Sequence, residues 1–153
     1  MSWAALALFL LGLWLLLNLV APYSMLARAE RCSPGRLPAE LLKRGEARSV
    51  YFYVGPTAMS YAVSLWAPGL GAVVVFNADF FRRAPPDLVR WVVAHELGHA
   101  AHNHHIIRWL FICTGAVLFP WVRRELERHE QAADIYARLL TGIDKEKFAQ
   151  YLT

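Results

Sequence analysis

His95-Glu96-Leu97-Gly98-His99 places two imidazoles and a carboxylate within five residues. On a helix, residues four apart share a face, so His95 and His99 can turn toward one ion. Glu96, one step round, lies beside it. There it can take a proton from water and return it to a leaving amine. That is the chemistry of a zinc hydrolase. H-E-x-x-H alone arises by chance on the order of once in a hundred such chains, so the flanking residues must decide. Residues 86–105 (PDLVRWVVAHELGHAAHNHH) read as a helix, with Pro86 and Asp87 suited to its first turn.

A catalytic zinc site needs a third protein ligand and an open position. His105, six residues after His99, has the spacing of H-E-x-x-H-x-x-G-x-x-H. However, His102 occupies the glycine position, and no methionine follows Met59 to supply a Met-turn. The better source is Glu130-Gln131-Ala132-Ala133-Asp134, on a helix expected over 123–141 and closed by Gly142. Glu130 and Asp134 face one way, so one carboxylate could bind the ion while the other accepts a ligand histidine's ring N–H. Ala132 and Ala133 would let the two helices approach closely. Glu127 and His129 are rival ligands. The bland alternative is acidic residues on a solvated helix amid Arg123, Arg124, Arg128 and Arg138.

H-E-L-G-H followed by E-x-x-A-D resembles the gluzincin membrane metallopeptidases, the group containing HtpX and the CAAX prenyl proteases. The resemblance covers roughly residues 48–152, with specific motifs at 95–99 and 130–134. It implies His95, His99 and Glu130 as ligands of one zinc ion, Glu96 as general base, and Asp134 as partner of a ligand histidine. It also implies a zincin-like α+β fold, in which a small antiparallel sheet packs on the H-E-x-x-H and E-x-x-A-D helices. Only a short tail follows Asp134, unlike the family's longer members. The group that stabilises the oxyanion is therefore open among His102, His104, His105, Tyr136 and Arg138.

The elements that must position these residues can be traced along the chain. Val50–Val54 (VYFYV), Met59–Trp66 and Gly71–Phe76 (GAVVVF) read as strands broken by Gly55-Pro56 and Pro68-Gly69. Val73–Phe76 is assigned to an edge strand that holds an extended peptide across the zinc. Residues 23–48 form a basic connector with a short helix near 38–44. The domain proper is expected over 49–153.

Hydrophobic residues make up 57% of the chain, and two blocks hold much of the excess. Trp3–Val20 (WAALALFLLGLWLLLNLV) carries no charge and is near the length that crosses a bilayer. Residues 1–22 are therefore read as a transmembrane anchor. A cleaved signal peptide ending at Ala27-Arg28-Ala29 is the alternative. No basic residue precedes the anchor, whereas Arg28, Arg31, Arg36, Lys43, Arg44 and Arg48 follow it. The positive-inside rule then puts the N-terminus outside and the catalytic domain in the cytoplasm, at the cell membrane. A net charge of +4 suits contact with anionic lipid. The basic residues come with no reader motif, so nucleic acid is not the expected partner.

The second block, residues 106–122 (IIRWLFICTGAVLFPWV), lies between the H-E-L-G-H motif and Glu130. A single crossing here would leave the histidines and Glu130 on opposite sides of the membrane. Arg108 and Pro120 weaken it as a span, and Thr114-Gly115 permits a turn. A membrane-dipping apolar hairpin is expected. Cys32 and Cys113 form no disulfide framework, which suits a reducing compartment. The expectation is thus a single-pass zinc endopeptidase acting on peptides or on unfolded and membrane proteins, in quality control by analogy with HtpX. The alternatives are a non-catalytic membrane adaptor with a structural zinc, favoured if His102 or His105 closes the site, and a peptidase that needs a membrane partner. Oligomeric state is not legible.

Overall fold

The computed structural model describes residues 2–32, 37–57 and 61–149. A long helix, α1 (Trp3–Leu26), leads into a two-residue strand β1 (Glu30–Arg31) and a short helix α2 (Ala39–Glu46). Three strands follow: β2 (Val50–Gly55), β3 (Ala62–Ala67) and β4 (Gly71–Asn77). The rest is helical, with α3 (Ala78–Arg83), α4 (Pro86–Ala101), α5 (His104–Cys113) and α6 (Pro120–Thr141). Part of the connector (33–36), Met59 and Ser60 at the head of the expected second strand, and residues 150–153 lie outside the described residues.

The domain is α+β, but its sheet is mixed rather than antiparallel. Strand order is β1-β2-β4-β3, with β4 parallel to β2 and antiparallel to β3. The cause lies in β4 itself. Ala72–Phe76 are all buried, and so unbroken an apolar run needs a cover on both faces and neighbours on both edges. Ala72, Val74 and Phe76 point with Val50 and Phe52 into the main core beneath α4. Val73 and Val75 point the other way, with Ala67, toward Met25, Leu26 and Ala29 at the end of α1. Val73–Phe76 therefore cannot be an edge. The edge on the α5 side is β3, whose ladder partner among the described residues is β4 alone.

α1 runs past the expected limit at Pro22 to Leu26, and then turns at Ala27–Arg28 onto the sheet. It is long and apolar enough to cross a membrane, and its apolar stretch is exposed. Tyr23 Oη donates to the Pro68 carbonyl, tying the helix end to the β3–β4 turn.

α4 is buried at almost every position from Leu88 to His99, because the sheet lies on one side and α6 on the other. It ends earlier than expected. Asn103 adopts a left-handed φ of 57°, which breaks the helix, and α5 begins at His104. The block 106–122 does turn at Thr114-Gly115, with Gly115 at φ 70°. Its second limb is not a helix of matching length. One 3-10 turn (Ala116–Leu118) is followed at once by Pro120, which starts α6.

Candidate metal centre

His95 and His99 stand one turn apart on α4, and Glu130 faces them from α6. Their Nε2 atoms are 3.1 Å apart. Glu130 Oε2 is 3.3 Å from His95 Nε2, and Glu130 Oε1 is 3.6 Å from His99 Nε2. Among the described residues, this is the one group of three whose donor atoms all lie within 4.8 Å of one another. Two imidazole nitrogens and a carboxylate oxygen converging so closely form a donor set that suits zinc. Without an ion, two ring nitrogens at that distance can be reconciled only if one carries the proton the other accepts.

Around this triangle each ring has a neighbour. His95 Nδ1 is 2.8 Å from Asp134 Oδ1, and Asp134 Oδ2 accepts from Lys145 Nζ at 2.8 Å. His99 Nδ1 lies 3.1 Å from His104 Nδ1. The His104 ring is stacked on His129, centroids 3.8 Å apart. His129 is thus occupied with His104 and does not join the ligand group. Glu127 is exposed on α6. Glu96 is buried at 7% exposure, and its Oε2 has no hydrogen-bond partner among the described residues.

Electrostatics follow the carboxylates. Burial alone would lower the His95 pKa, but Asp134 and Glu130 reverse that and raise it to about 9. The contacts of Glu130 with His95, and then with His99, hold its carboxyl well below the usual range. Burial would raise Asp134, yet His95 and Lys145 keep it depressed. Both carboxylates are therefore ionised and ready to meet a cation.

His95, Glu96, His99, His104, His129 and Glu130 line a cleft of about 390 Å³ whose other walls come from β3 and α5. The cleft is thus edged by a strand and has three convergent donor atoms and a buried carboxylate beside it, a combination that could hold a metal ion and admit an extended peptide. A sequence model of peptidase family M48 matches residues 51–147, more than half of the chain.

The chain belongs to peptidase family M48.

M48 enzymes are zinc metallopeptidases, so zinc is the cofactor and peptide or protein the substrate class. No curated protein matches the chain. The M48 region takes in β3, β4, all but the first residue of β2, both motif helices and the cleft between them. The placement of His104 and Ser64 as neighbours of the site is not evident from the sequence. The one signal toward it is Asn103, a residue type that tolerates the left-handed break which swings α5 back over the cleft.

Proposed function

We propose that this M48 member is a membrane-anchored zinc endopeptidase whose ion is held by His95, His99 and Glu130. The observation that carries the reading is the ligand triangle with the buried Glu96 one residue from His95, its Oε2 without a hydrogen-bond partner among the described residues. Zinc bound there supplies Lewis-acid polarisation of the scissile carbonyl and lowers the pKa of water. Glu96 takes the proton of the attacking water and delivers it to the departing nitrogen. Asp134 accepts the Nδ1 proton of His95, which leaves the Nε2 lone pair for the ion. The contact of Lys145 with Asp134 keeps that carboxylate charged and aimed.

The peptide lies along β3, whose outer edge offers main-chain groups for an added strand. α1 spans the membrane with its N-terminus outside, since the basic residues follow it. The apolar side chains of Ile106, Leu110, Leu118, Phe119 and Trp121 are exposed. α5, which carries the first two, packs beside α1, so this rim rests in the same bilayer. The cleft then opens at the cytoplasmic membrane surface, where unfolded segments of membrane proteins would be met. The adaptor alternative loses ground because His102 Nδ1 bonds the Gly98 carbonyl at 3.0 Å and His105 Nδ1 pairs with Ser64. Neither closes the site.

Zinc removal tests the reading. Detergent-purified protein should cut casein, stop when a chelator strips the ion, and recover when zinc is returned. Cutting that persists in metal-free protein would contradict it.

A further inference from the structure

His105 is 7% exposed, yet it lines the cleft. Its Nδ1 lies 2.8 Å from Ser64 Oγ on β3. Its Nε2 is buried without a hydrogen-bond partner among the described residues. Buried ring nitrogens are rarely left so, and this one belongs to a residue that lines the cleft. The ring centroid is 5.7 Å from that of His99, close to where a scissile peptide would sit.

Three of the other groups that could meet an oxyanion are engaged. His104 faces His99, His102 bonds the Gly98 carbonyl, and Arg138 pairs with Asp144 at 2.8 Å. Tyr136 is set at the crossing of α4 and α6, its Cβ against Gly98. Arg108 leans toward Glu130, 3.8 Å away.

The state of the ring follows from its surroundings. The ring is buried, and a neutral imidazole carries its one proton on the nitrogen that its hydrogen bonds select. With the Ser64 hydroxyl beside Nδ1, the arrangement that serves the cleft has the ring proton on Nε2. The Ser64 hydroxyl then donates to Nδ1. A neutral imidazole N–H held in a cleft can stabilise charge that develops on a carbonyl oxygen.

We propose that His105 Nε2–H is the donor to the oxyanion of the peptide being cut, with Ser64 as the positioning residue that fixes its tautomer. The proposal rests on the peptidase reading. During attack the carbonyl π electrons move to oxygen and the Nε2–H bond shortens its contact with it. No proton leaves His105, and the donor relaxes when the carbonyl reforms. One strand thus both carries the peptide and orients the donor.

The test uses zinc-loaded full chain in detergent and a casein-derived fluorogenic peptide. His105→Phe keeps a ring but removes the donor. It should lower kcat about 10²–10³-fold, with KM within a few-fold and zinc content unchanged. A phosphinic peptide that mimics the tetrahedral state should lose affinity by a similar factor. His105→Gln, which retains an N–H, should recover most of both. Ser64→Ala should lower kcat less, again without moving KM. Unchanged kcat in His105→Phe, or His105→Gln as impaired as His105→Phe, would overturn the proposal. If His105→Phe fails to fold, the contrast between His105→Gln and Ser64→Ala decides.

A second readout needs no activity. Nitrogen-15 spectra of histidine-labelled, metal-free protein, read against His105→Gln, should show the proton of His105 on Nε2. A proton on Nδ1 overturns the proposal whatever the protein cuts. Wild type that holds zinc and cuts nothing would instead remove the peptidase reading.

Discussion

Gly98 lies against Ala133 so closely that a Cβ on the glycine would stand 3.0 Å from the Ala133 Cα and 3.2 Å from its carbonyl oxygen. Backbone meets backbone at this point. The crossing lies one residue before His99 on α4 and three residues past Glu130 on α6. The separation of the two helices there sets how far Glu130 stands from the imidazoles.

Gly98→Ala should therefore force α4 and α6 apart. The strain should cost about 1–3 kcal/mol of stability, the usual range for overpacking. Zinc affinity should fall as well, because Glu130 retreats from His95 and His99. A thermal melt and a chelator competition check the two effects. A variant that binds zinc like wild type would show that the crossing does not set the ligand distance.

Asp134→Asn keeps the shape next to His95 Nδ1 but removes the charge that the ring and Lys145 share. Zinc affinity should drop about 10–100-fold, the common cost of losing such a partner, while the fold survives. Isothermal titration with zinc measures it. An unchanged dissociation constant would place Asp134 outside the site.

Much of this arrangement is legible in the amino-acid sequence. His95, His99 and Glu130 stand out because helical periodicity and a small-residue stretch are local signals. The turn at Gly115 and the valine run of β4 are legible for the same reason. The parallel pairing of β2 with β4 is not, since register between distant segments depends on which strand needs cover on both edges. β1, two residues long, has no pattern to detect. The break at Asn103 is also hidden, because His102–His105 continue a helical spacing well enough. Only the fold shows that the left-handed residue redirects His104 and His105 to the cleft.

The end of α1 packs on the domain although the rest of its apolar length is exposed. Met25, Leu26 and Ala29 pack over Val73, Val75 and Ala67. A chain beginning at Ala21 should melt within a few degrees of full length. One beginning at Glu30 uncovers that face and should lose about 2–4 kcal/mol. Equal melting temperatures for the two would contradict the packing.

Asp87 in the first turn of α4 accepts from Lys147 Nζ at 2.8 Å, which ties the start of the helix to the C-terminal segment. That hydrogen bond lowers the Asp87 pKa from its ordinary 3.8. A carboxyl depressed on folding stabilises above its unfolded pKa and loses that contribution as pH falls through the lower folded value. Wild type should therefore melt slightly above Asp87→Asn between about pH 5 and 8. The gap should close below pH 3.8. It should also shrink in high salt, since the pair is exposed. A gap that widened in acid would reverse the assigned sign.

The central claim is that Glu96 is the base of a zinc-dependent cut. The most direct measurement is casein proteolysis by wild type and Glu96→Gln side by side, each with its zinc content determined. The account predicts that both hold zinc through His95, His99 and Glu130, and that only wild type cuts. Cleavage by zinc-loaded Glu96→Gln at the wild-type rate would contradict it.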